Sequence, residues 1–498
     1  MSSRNSILWG SIVAVILLVG LLALNQRRPG PPQATRALTV YCAAGIKVPV
    51  EAVAKDYERE FGISVQLQYG GSGTLLSNLK VARRGDLFVA ADSSFIELGR
   101  SNQLLAEVLP LAKLKPVLAV ARGNPRGLRG IDDLLRPDVR VALGNPESVA
   151  IGVATRRALT HAGKWAPLAA KTTVFKPTVN DLANDVKLGS VDAAILWDAT
   201  AHQYPEIETL PLPELEGFTS DVAVSVLSFC DQPTSALRFA RYLAARDRGL
   251  RHFSAAGFTV AQGDRWTPSP EVVLYSGTVN RTAIEETLGE FETREGVRVT
   301  RVYNGCGILT AQIKAGQKPD AYFACDVSFM NTVAQVFLPS VDLAETSLVL
   351  LVKKGNPSRI TGLADLARAG LRVGLAQEKQ SALGALSARL LQNAGLWEAV
   401  LARVSVQAAT GDLLVNQIRS GSLDVVLVYA VNASQVLDSL DTIELKEPGS
   451  IAIQPYAIGR DSEHTQLMAR LLETLETAES RGRFEKVGFR SRKRGVSP

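Results

Sequence analysis

The sequence predicts an α/β protein that consists of two tandem copies of one domain. Three observations predict this: a length of 498 residues, an internal repeat, and short β-rich runs that alternate with helical runs inside each copy. At roughly 100 to 200 residues per domain, the length allows two to four domains. Hydrophobic residues make up 46% and charged residues 21% of the chain. These values are close to the globular average, which excludes disordered, collagen-like and disulfide-scaffold classes.

The internal repeat begins at Tyr41 in the first copy and at Tyr275 in the second. Aligned without gaps as far as Phe95 and Phe329, the two segments share 15 of 55 positions, where ordinary composition gives roughly 3. The pattern Y-x-G-x-G-x-L is among the matches, and further identities continue almost to the end of each copy. Each copy has about 220 to 230 residues, which is too long for a solenoid repeat and indicates a duplicated domain.

The repeat divides the chain into five parts. Residues 1–36 hold an apolar segment and a Pro/Gly-rich spacer, residues 37–262 form the first copy, and residues 263–270 are a linker with two prolines. Residues 271–490 form the second copy, and residues 491–498 are a basic tail.

The apolar segment runs from Ser6 to Leu24, 19 residues without a charge. At 1.5 Å per residue a helix of this length spans a bilayer core of about 30 Å, so we expect a membrane anchor. A cleaved signal peptide is the alternative, although its apolar region is usually only about 7 to 15 residues long and ends at an A-x-A-like site. The amino terminus and Arg4 on one side are balanced by Arg27 and Arg28 on the other, so the flanking charges do not predict the orientation of the segment.

Within the first copy, β-rich and helical patterns alternate. Residues 37–44, 63–70 and 86–92 predict strands, and the segments between them predict amphipathic helices. This order favours a parallel sheet with right-handed crossovers, in which ligands lie beyond the carboxyl ends of the strands. The turn Gly70–Thr74 lies at such an end, where a helix N-terminus offers N–H groups to an anion. The alternative is a plain tight turn in which Ser72 or Thr74 caps the helix.

Several function classes are excluded by what the sequence lacks. The net charge of +6 is small for this length, and no basic block is interleaved with aromatic residues, so nucleic acid is not expected as a partner. The strand-end loops bring together no serine, histidine and carboxylate, so we expect neither catalysis nor a catalytic residue.

The four cysteines, Cys42, Cys230, Cys306 and Cys325, have no CxxC or other metal-binding spacing, and none of the four histidines is paired at i, i+4. We therefore expect no metal and no cofactor. Cys306 and Cys325 end adjacent predicted strands, where they could pair in an oxidising compartment or remain free.

The first copy also carries a series of motifs in a defined order. These are Y-x-A-A at 41–44, GSGTL at 71–75, GDLFVAAD at 85–92, ALGNPESVAIG at 142–152 and G-x-x-D-x-x-I-L-W at 189–197. Together they resemble the molybdate-binding periplasmic proteins of ABC importers. The resemblance covers nearly all of the first copy and, more loosely, the second. It implies a type II periplasmic-binding-protein fold for each copy, in which two α/β lobes are joined by two crossover segments and close around a ligand cleft.

The resemblance also implies ligand-binding residues. The family holds a tetrahedral oxyanion with hydroxyl and backbone N–H groups and without a cationic side chain. Transferred by position, the contacts fall on Gly45, Ser72, Ile151, Val179 and Trp197, with Gly73 and Thr74 as further N–H donors beside Ser72. Two of these positions depart from the family, which has serine at the first and tyrosine at the last.

In the second copy the equivalent positions are Val279, Cys306, Leu383, Gly411 and Tyr429. Here the tyrosine is kept, but the serine of the second strand turn is replaced by Cys306, a weak donor. Thr278 or Asn280 could compensate. Because the first copy keeps its hydroxyl at a helix N-terminus, we expect it to bind an oxyanion more tightly than the second.

The resemblance implies an extracytoplasmic solute-binding protein, anchored by its N-terminal segment, that captures molybdate or tungstate for an ABC permease. Two alternatives remain open. Degenerate clefts would suit a membrane-anchored sensor or interaction module. Alternatively, Trp197 and Asp198 could receive an amine, such as a polyamine, by cation–π and charge contacts.

Overall fold

The computed structural model describes residues 36–492. The predicted anchor, Ser6–Leu24, and residues 493–498 of the predicted basic tail lie outside the described residues. Within residues 36–492, no helix is long and apolar enough to cross a membrane.

The first lobe of the first copy is built on a six-stranded sheet in the order β11-β4-β10-β3-β1-β2. Its strands are β1 (Leu38–Ala43), β2 (Val65–Gly70), β3 (Leu87–Ala90), β4 (Leu105–Leu114), β10 (Ser220–Leu227) and β11 (Thr259–Val260). Its helices are α1 (Lys47–Phe61), α2 (Ser72–Ala82), α3 (Ser93–Ser101), α8 (Pro233–Leu243) and α9 (Gly249–Ala255). The three predicted strands pair in parallel as expected. However, β10 runs antiparallel to β3 and β4, so the sheet is mixed.

The second lobe is a five-stranded sheet in the order β7-β6-β8-β5-β9. Its strands are β5 (Pro116–Ala121), β6 (Val141–Gly144), β7 (Val174–Lys176), β8 (Ala193–Trp197) and β9 (Ile207–Leu210). Its helices are α4 (Ala150–His161), α5 (Trp165–Lys171), α6 (Val179–Lys187) and α7 (Asp198–His202). The chain crosses between the lobes twice, after β4 and after β9.

The second copy repeats this order of elements. Its strands are β12 (Glu271–Gly277), β13 (Arg298–Asn304), β14 (Ala321–Phe323), β15 (Val341–Lys353), β16 (Val373–Ala376), β17 (Val404–Ala408), β18 (Val425–Tyr429), β19 (Leu440–Glu444), β20 (Ile451–Ile458) and β21 (Arg490–Ser491). Its helices are α10 (Arg281–Glu295), α11 (Cys306–Lys314), α12 (Val327–Asn331), α13 (Ala382–Asn393), α14 (Trp397–Leu401), α15 (Gly411–Arg419), α16 (Ala430–Ser434), α17 (Thr465–Leu475) and α18 (Ala478–Lys486).

The two copies differ in the first crossover between their lobes. In the first copy β4 ends at Leu114 and β5 starts at Pro116, whereas in the second copy the single strand β15 runs through both lobes and joins their strands into one ten-stranded sheet. The position of Pro116 is taken by Leu348, whose N–H donates to the carbonyl of Ser450 over 2.7 Å. Proline has no N–H to give to a strand ladder, which explains the break in the first copy.

Two of the repeated residues shape the ends of helices. Gly62 ends α1 in the left-handed region, at φ 67°, and Gly296 ends α10 in the same way, at φ 65°. A residue without Cβ adopts this conformation at no steric cost. Asp92 and Asp326 cap the helices that follow their strands by accepting the N–H of Ser94 and of Ser328.

A buried ionic cluster connects the first lobes of the two copies. Glu295, only 1% exposed, lies 3.0 Å from the guanidinium of Arg241 in the first copy and 2.6 Å from that of Arg470 in the second. The residues of the predicted linker also pack, since the Asp264 carboxylate accepts the N–H of Leu467 over 2.9 Å. An unpaired buried charge would be strongly destabilising, so this cluster fixes how the two first lobes meet.

Candidate ligand clefts

A small cavity of about 230 Å³ lies between the two lobes of the first copy, at the carboxyl ends of β1 and β2. Only about 10 Å³ of this space can hold the centre of a water-sized sphere, against the roughly 300 to 1,000 Å³ of pockets for drug-sized ligands, so the cavity, called cleft one, is too small for a ligand of that size. Its walls carry no charged side chain; they consist of Ala43, Ala44, Gly45, Gly70, Gly71, Ser72, Ala91, Val149, Ala150, Ile151, Thr178, Val179 and Trp197.

The starts of three helices point into cleft one. Ser72 is the first residue of α2, Ala150 opens α4, and Val179 opens α6. Each helix start carries a partial positive charge and N–H groups without an intrahelical partner. The cleft therefore combines a neutral wall with a positive potential that comes from the backbone, which is the arrangement that stabilises a bound anion.

The Ser72 side chain forms part of the cavity wall and is 1% exposed. Its Oγ accepts the N–H of Ala91 over 3.3 Å. This hydrogen bond links the turn after β2 to the turn after β3. A hydroxyl can donate one hydrogen bond while it accepts others, so the proton of Ser72 remains for a ligand. Of the other predicted contacts in this copy, Gly45, Ile151, Val179 and Trp197 also line the cavity.

Neither Gly73 nor Thr74, the predicted N–H donors beside Ser72, is among the residues that line the cavity. The N–H of Gly73 donates to the carbonyl of Ser148 in the opposite lobe over 2.9 Å, and the side chain of Thr74 is exposed. The turn is rich in glycine because the lobes close tightly against it. A Cβ on Gly71 would lie 2.8 Å from the oxygen of Ser148 and 3.0 Å from that of Pro177, both backbone atoms that cannot easily move.

The alternative of an amine bound by Trp197 and Asp198 is not favoured by the geometry. The Trp197 side chain is 1% exposed. One carboxylate oxygen of Asp198 accepts the N–H of Ala199 at 2.8 Å and that of Lys115 at 3.0 Å. Burial raises the pKa of this carboxyl group. The carboxylate of Asp198 therefore satisfies two backbone N–H groups, one in the first turn of α7 and one in the crossover at Lys115.

The second copy has an equivalent cavity of about 280 Å³, called cleft two. Its walls are formed by Thr278, Val279, Asn304, Gly305, Cys325, Ser381, Leu383, Ala409, Thr410, Gly411, Asp412, Tyr429 and Asn432. Four predicted contacts, Val279, Leu383, Gly411 and Tyr429, are among them. The fifth, Cys306, lies directly behind Cys325, whose N–H donates to the Cys306 sulfur over 3.1 Å.

The two cysteines are free thiols and both are buried. Although burial acts to raise it, the pKa of Cys306 lies below its ordinary value because the Cys325 thiol and the Tyr322 hydroxyl hydrogen-bond to its sulfur. The pKa of Cys325 is raised by that same hydrogen bond to Cys306 and by burial.

The polar side chains around cleft two also differ from those predicted. Asn280 is fully buried and its amide donates to the carbonyl of Phe323 over 3.1 Å, so the expectation that it could replace a lost ligand donor is wrong. Asp412 accepts a hydrogen bond of 2.8 Å from Asn432 at the cavity wall. The buried hydroxyl of Tyr429, 2% exposed, has no hydrogen-bond partner.

Comparison with known proteins agrees with this architecture. A family model described as bacterial extracellular solute-binding protein matches residues 38–259 and again residues 272–490. The chain belongs to this solute-binding family. The resemblance predicted from the motifs is thereby confirmed, with one family domain in each copy of the repeat.

Named relatives extend the comparison. The molybdate-binding protein ModA of Mycobacterium tuberculosis is 27% identical over 255 residues, which is 50% of this chain and 95% of the relative. A putative binding protein of Haemophilus influenzae is 26% identical over 227 residues, 45% of this chain and 91% of the relative. The solved periplasmic molybdate-binding protein of Azotobacter vinelandii is 18% identical and aligns over 45% of this chain and 100% of its own, with a TM-score of 0.40.

One polar residue of this solute-binding domain was missed by the sequence reasoning. The hydroxyl of Thr200 is buried without a hydrogen-bond partner. It lies 3.5 Å from the point that a Cβ on Gly45 would occupy, next to the position where the resemblance implies a missing serine. Such a Cβ would also lie 2.7 Å from a methyl group of Val179. A signal was present, because Thr200 follows the predicted contact Trp197 by three residues, within one helical turn.

Proposed function

We propose that the chain is an extracytoplasmic solute-binding protein whose cleft one captures a small tetrahedral oxyanion, molybdate or tungstate, for an ABC importer. One observation carries the proposal. Cleft one is lined by the Ser72 hydroxyl and by the starts of three helices, and it contains no charged side chain. The proposal also draws on the Mycobacterium tuberculosis relative, whose name describes molybdate binding.

The chemistry of cleft one favours an anion over a cation. A hydrogen bond to a charged acceptor contributes about 1.5 to 3 kcal/mol, and several such bonds can replace the water that a small oxyanion loses on binding. A polyamine would need carboxylates, and the residues that line this cavity include none. The hydrogen-bond donors of cleft one suit an anion, so the alternative of a sensor with degenerate clefts is not needed to explain this cavity.

A permease of the importer is the proposed partner, and the predicted segment Ser6–Leu24 is the proposed anchor on the extracytoplasmic face of the membrane. A reporter that is active only in the cytoplasm, fused to the carboxyl terminus, tests this topology. We expect no reporter activity, and strong activity would contradict the proposed location.

Calorimetric titration of the full chain tests the ligand. Molybdate, tungstate, sulfate, phosphate and spermidine are titrated separately, and we expect one molybdate or tungstate ion to bind per chain. Sulfate belongs in the series because a sulfate-binding protein of Synechococcus elongatus is also 26% identical over 267 residues. The control is a chain with Cys306→Ser and Cys325→Ala, which should bind the oxyanion as the parent does. Binding of spermidine alone, or of no anion, would refute the proposal.

A further inference from the structure

We propose that cleft two is a two-thiolate site for a soft monovalent cation, Cu(I) or its redox-stable analogue Ag(I), with Cys306 and Cys325 as the ligands. The inference depends on the second copy alone and is independent of what cleft one binds. Both cysteines are free and buried, and Cys325 forms part of the cavity wall, so an ion that enters the cleft meets its sulfur directly.

The separation of the two sulfurs fits an ion between them. A Cβ placed on Gly277 would lie 2.0 Å from the sulfur of Cys325 and 3.1 Å from that of Cys306, so the two sulfurs are at most about 5 Å apart. Two metal–thiolate bonds of about 2.3 Å each span about 4.6 Å when they lie in line. The pair can therefore hold one ion once the two side chains exchange their S–H···S hydrogen bond for bonds to the metal. Soft thiolate ligands select Cu(I) over harder cations.

The surroundings limit which metal can bind. Within residues 36–492, no group of three or more histidine, cysteine, aspartate or glutamate side chains is placed to hold a metal ion. Zinc in structural sites takes four protein ligands and is not served by this pair, whereas a monovalent soft ion is satisfied by two sulfurs. The carboxylate of Asp412 in the cavity wall adds a negative charge that attracts a cation.

A second feature of cleft two points to a ligand at this place. The Tyr429 hydroxyl is 98% buried, lines the same cavity as Cys325 and has no hydrogen-bond partner in the described structure. A buried polar group without a partner is costly, so its retention is explained by an occupant of the cavity. The hydroxyl oxygen can accept a hydrogen bond from a water that accompanies the bound ion.

The first copy supplies the matched comparison. There Ser72 and Ala91 stand where the second copy has Cys306 and Cys325, and the same backbone hydrogen bond is formed, 3.3 Å to oxygen in one copy and 3.1 Å to sulfur in the other. Because the backbone tolerates both pairs of side chains, the thiols are not required by the fold. The variants Cys306→Ser and Cys325→Ala install residues that this fold already carries.

The experiment is a competitive titration of the reduced full chain with Ag(I), against a soluble thiol chelator and without oxygen. Binding is followed by thiolate-to-metal absorption in the ultraviolet and by the rise in Tm. The parent carries Cys42→Ala and Cys230→Ser, so only the cleft pair remains. We expect one Ag(I) per chain. Either Cys306→Ser or Cys325→Ala should weaken binding by more than the roughly 100-fold that changes beyond the metal ligands cost.

A gain-of-site variant completes the test. Ser72→Cys with Ala91→Cys, added to the same parent, should raise the stoichiometry to two Ag(I) per chain. If the parent is poorly folded by circular dichroism, the difference in stoichiometry between the wild-type chain and its Cys306→Ser, Cys325→Ala variant gives the same answer. Three results would overturn the proposal. Ag(I) binding could be unchanged in the single variants, or the chelator could remove all Ag(I) from the parent. The third result would be that Cys306 and Cys325 form a disulfide that cannot be reduced.

Discussion

The two clefts occupy the same place in two copies of one fold, but their side chains differ in chemistry. Cleft one has the hydroxyl of Ser72 and no charged residue in its wall, whereas cleft two has Cys325, backed by Cys306, and the carboxylate of Asp412. The backbone hydrogen bond beneath Ser72 and Cys306 is the same in both copies. The comparison shows that the chemistry of the cleft wall changes through a few side-chain atoms while the helix starts that surround the cleft remain in place.

The largest expected effect comes from replacing the residue that begins the helix after the second strand of each copy, which is Ser72 in the first copy and Cys306 in the second. Ser72→Ala removes a hydrogen bond to a charged acceptor, a loss of about 1.5 to 3 kcal/mol, so molybdate binding should weaken by roughly 10- to 150-fold. The matched variant Cys306→Ala should leave molybdate binding unchanged, because its sulfur belongs to cleft two. Calorimetric titration of both full-length variants measures the effect. If Cys306→Ala causes the larger loss, the oxyanion lies in the second copy and the assignment is reversed.

A slightly smaller effect on affinity is expected from a bulky side chain that prevents the two lobes of a copy from closing against each other. Gly71→Val places carbon atoms within 3.0 Å of two backbone oxygens of the opposite lobe. Overpacking of this kind costs about 1 to 3 kcal/mol and acts only on the closed form, so molybdate affinity should fall roughly 5- to 150-fold. Gly305→Val is the matched change, because its Cβ would lie 2.5 Å from the oxygen of Gln380 in the second copy.

The Gly71→Val and Gly305→Val variants have a second readout. Small-angle scattering with saturating molybdate should show a compact first domain in the parent and in Gly305→Val, and a more extended form in Gly71→Val. Equal loss of molybdate affinity in both variants would mean that the two clefts do not close separately.

The sequence was sufficient to predict the two tandem α/β domains and the first strands and helices of each copy. Strand–helix alternation and the strand-end turns are local patterns, so β1, β2 and the start of α2 at Ser72 could be predicted from a few neighbouring residues. The mixed sheet was not predicted, since β10 joins β3 from more than a hundred residues away. Neither could the partner of the Gly73 N–H be predicted, because Ser148 lies in the other lobe and far along the chain from Gly73.

The third prediction concerns Thr200, the residue that the sequence did not indicate. Thr200→Val removes a buried hydroxyl that has no hydrogen-bond partner among residues 36–492. If this hydroxyl donates to the oxyanion near Gly45, the loss is about 1.5 kcal/mol, the lower end for a hydrogen bond to a charged acceptor, and molybdate binding should weaken about tenfold. The same change should raise the thermal stability of the ligand-free chain, because an unsatisfied buried group is removed.

The opposite signs of these two effects separate a ligand contact from a packing residue. Thr200→Ser, which keeps the hydroxyl, is the control and should preserve affinity. Reduced stability with unchanged affinity in Thr200→Val would show that the side chain serves packing alone.

The smallest effect is expected from converting cleft two into cleft one. Cys306→Ser and Cys325→Ala restore the residues of the first copy, and Asp412→Asn removes a carboxylate where the first copy has Asn180. Because the helix starts of α11, α13 and α15 already surround this cavity, the triple variant should gain weak oxyanion binding, with a Kd of about 1 mM, which corresponds to about 4 kcal/mol.

The affinity of the converted cleft should remain modest, since the side chain of Asn432, which stands in place of Thr200, is not changed. The double variant that keeps Asp412 is the control and should not bind, because a carboxylate in a small cavity repels an anion. Titration of the triple variant with Ser72→Ala added isolates the new site. If this variant binds no molybdate even at several millimolar, the side chains alone do not explain why the two clefts differ in binding. Backbone differences, such as the continuous strand β15, would then be the cause.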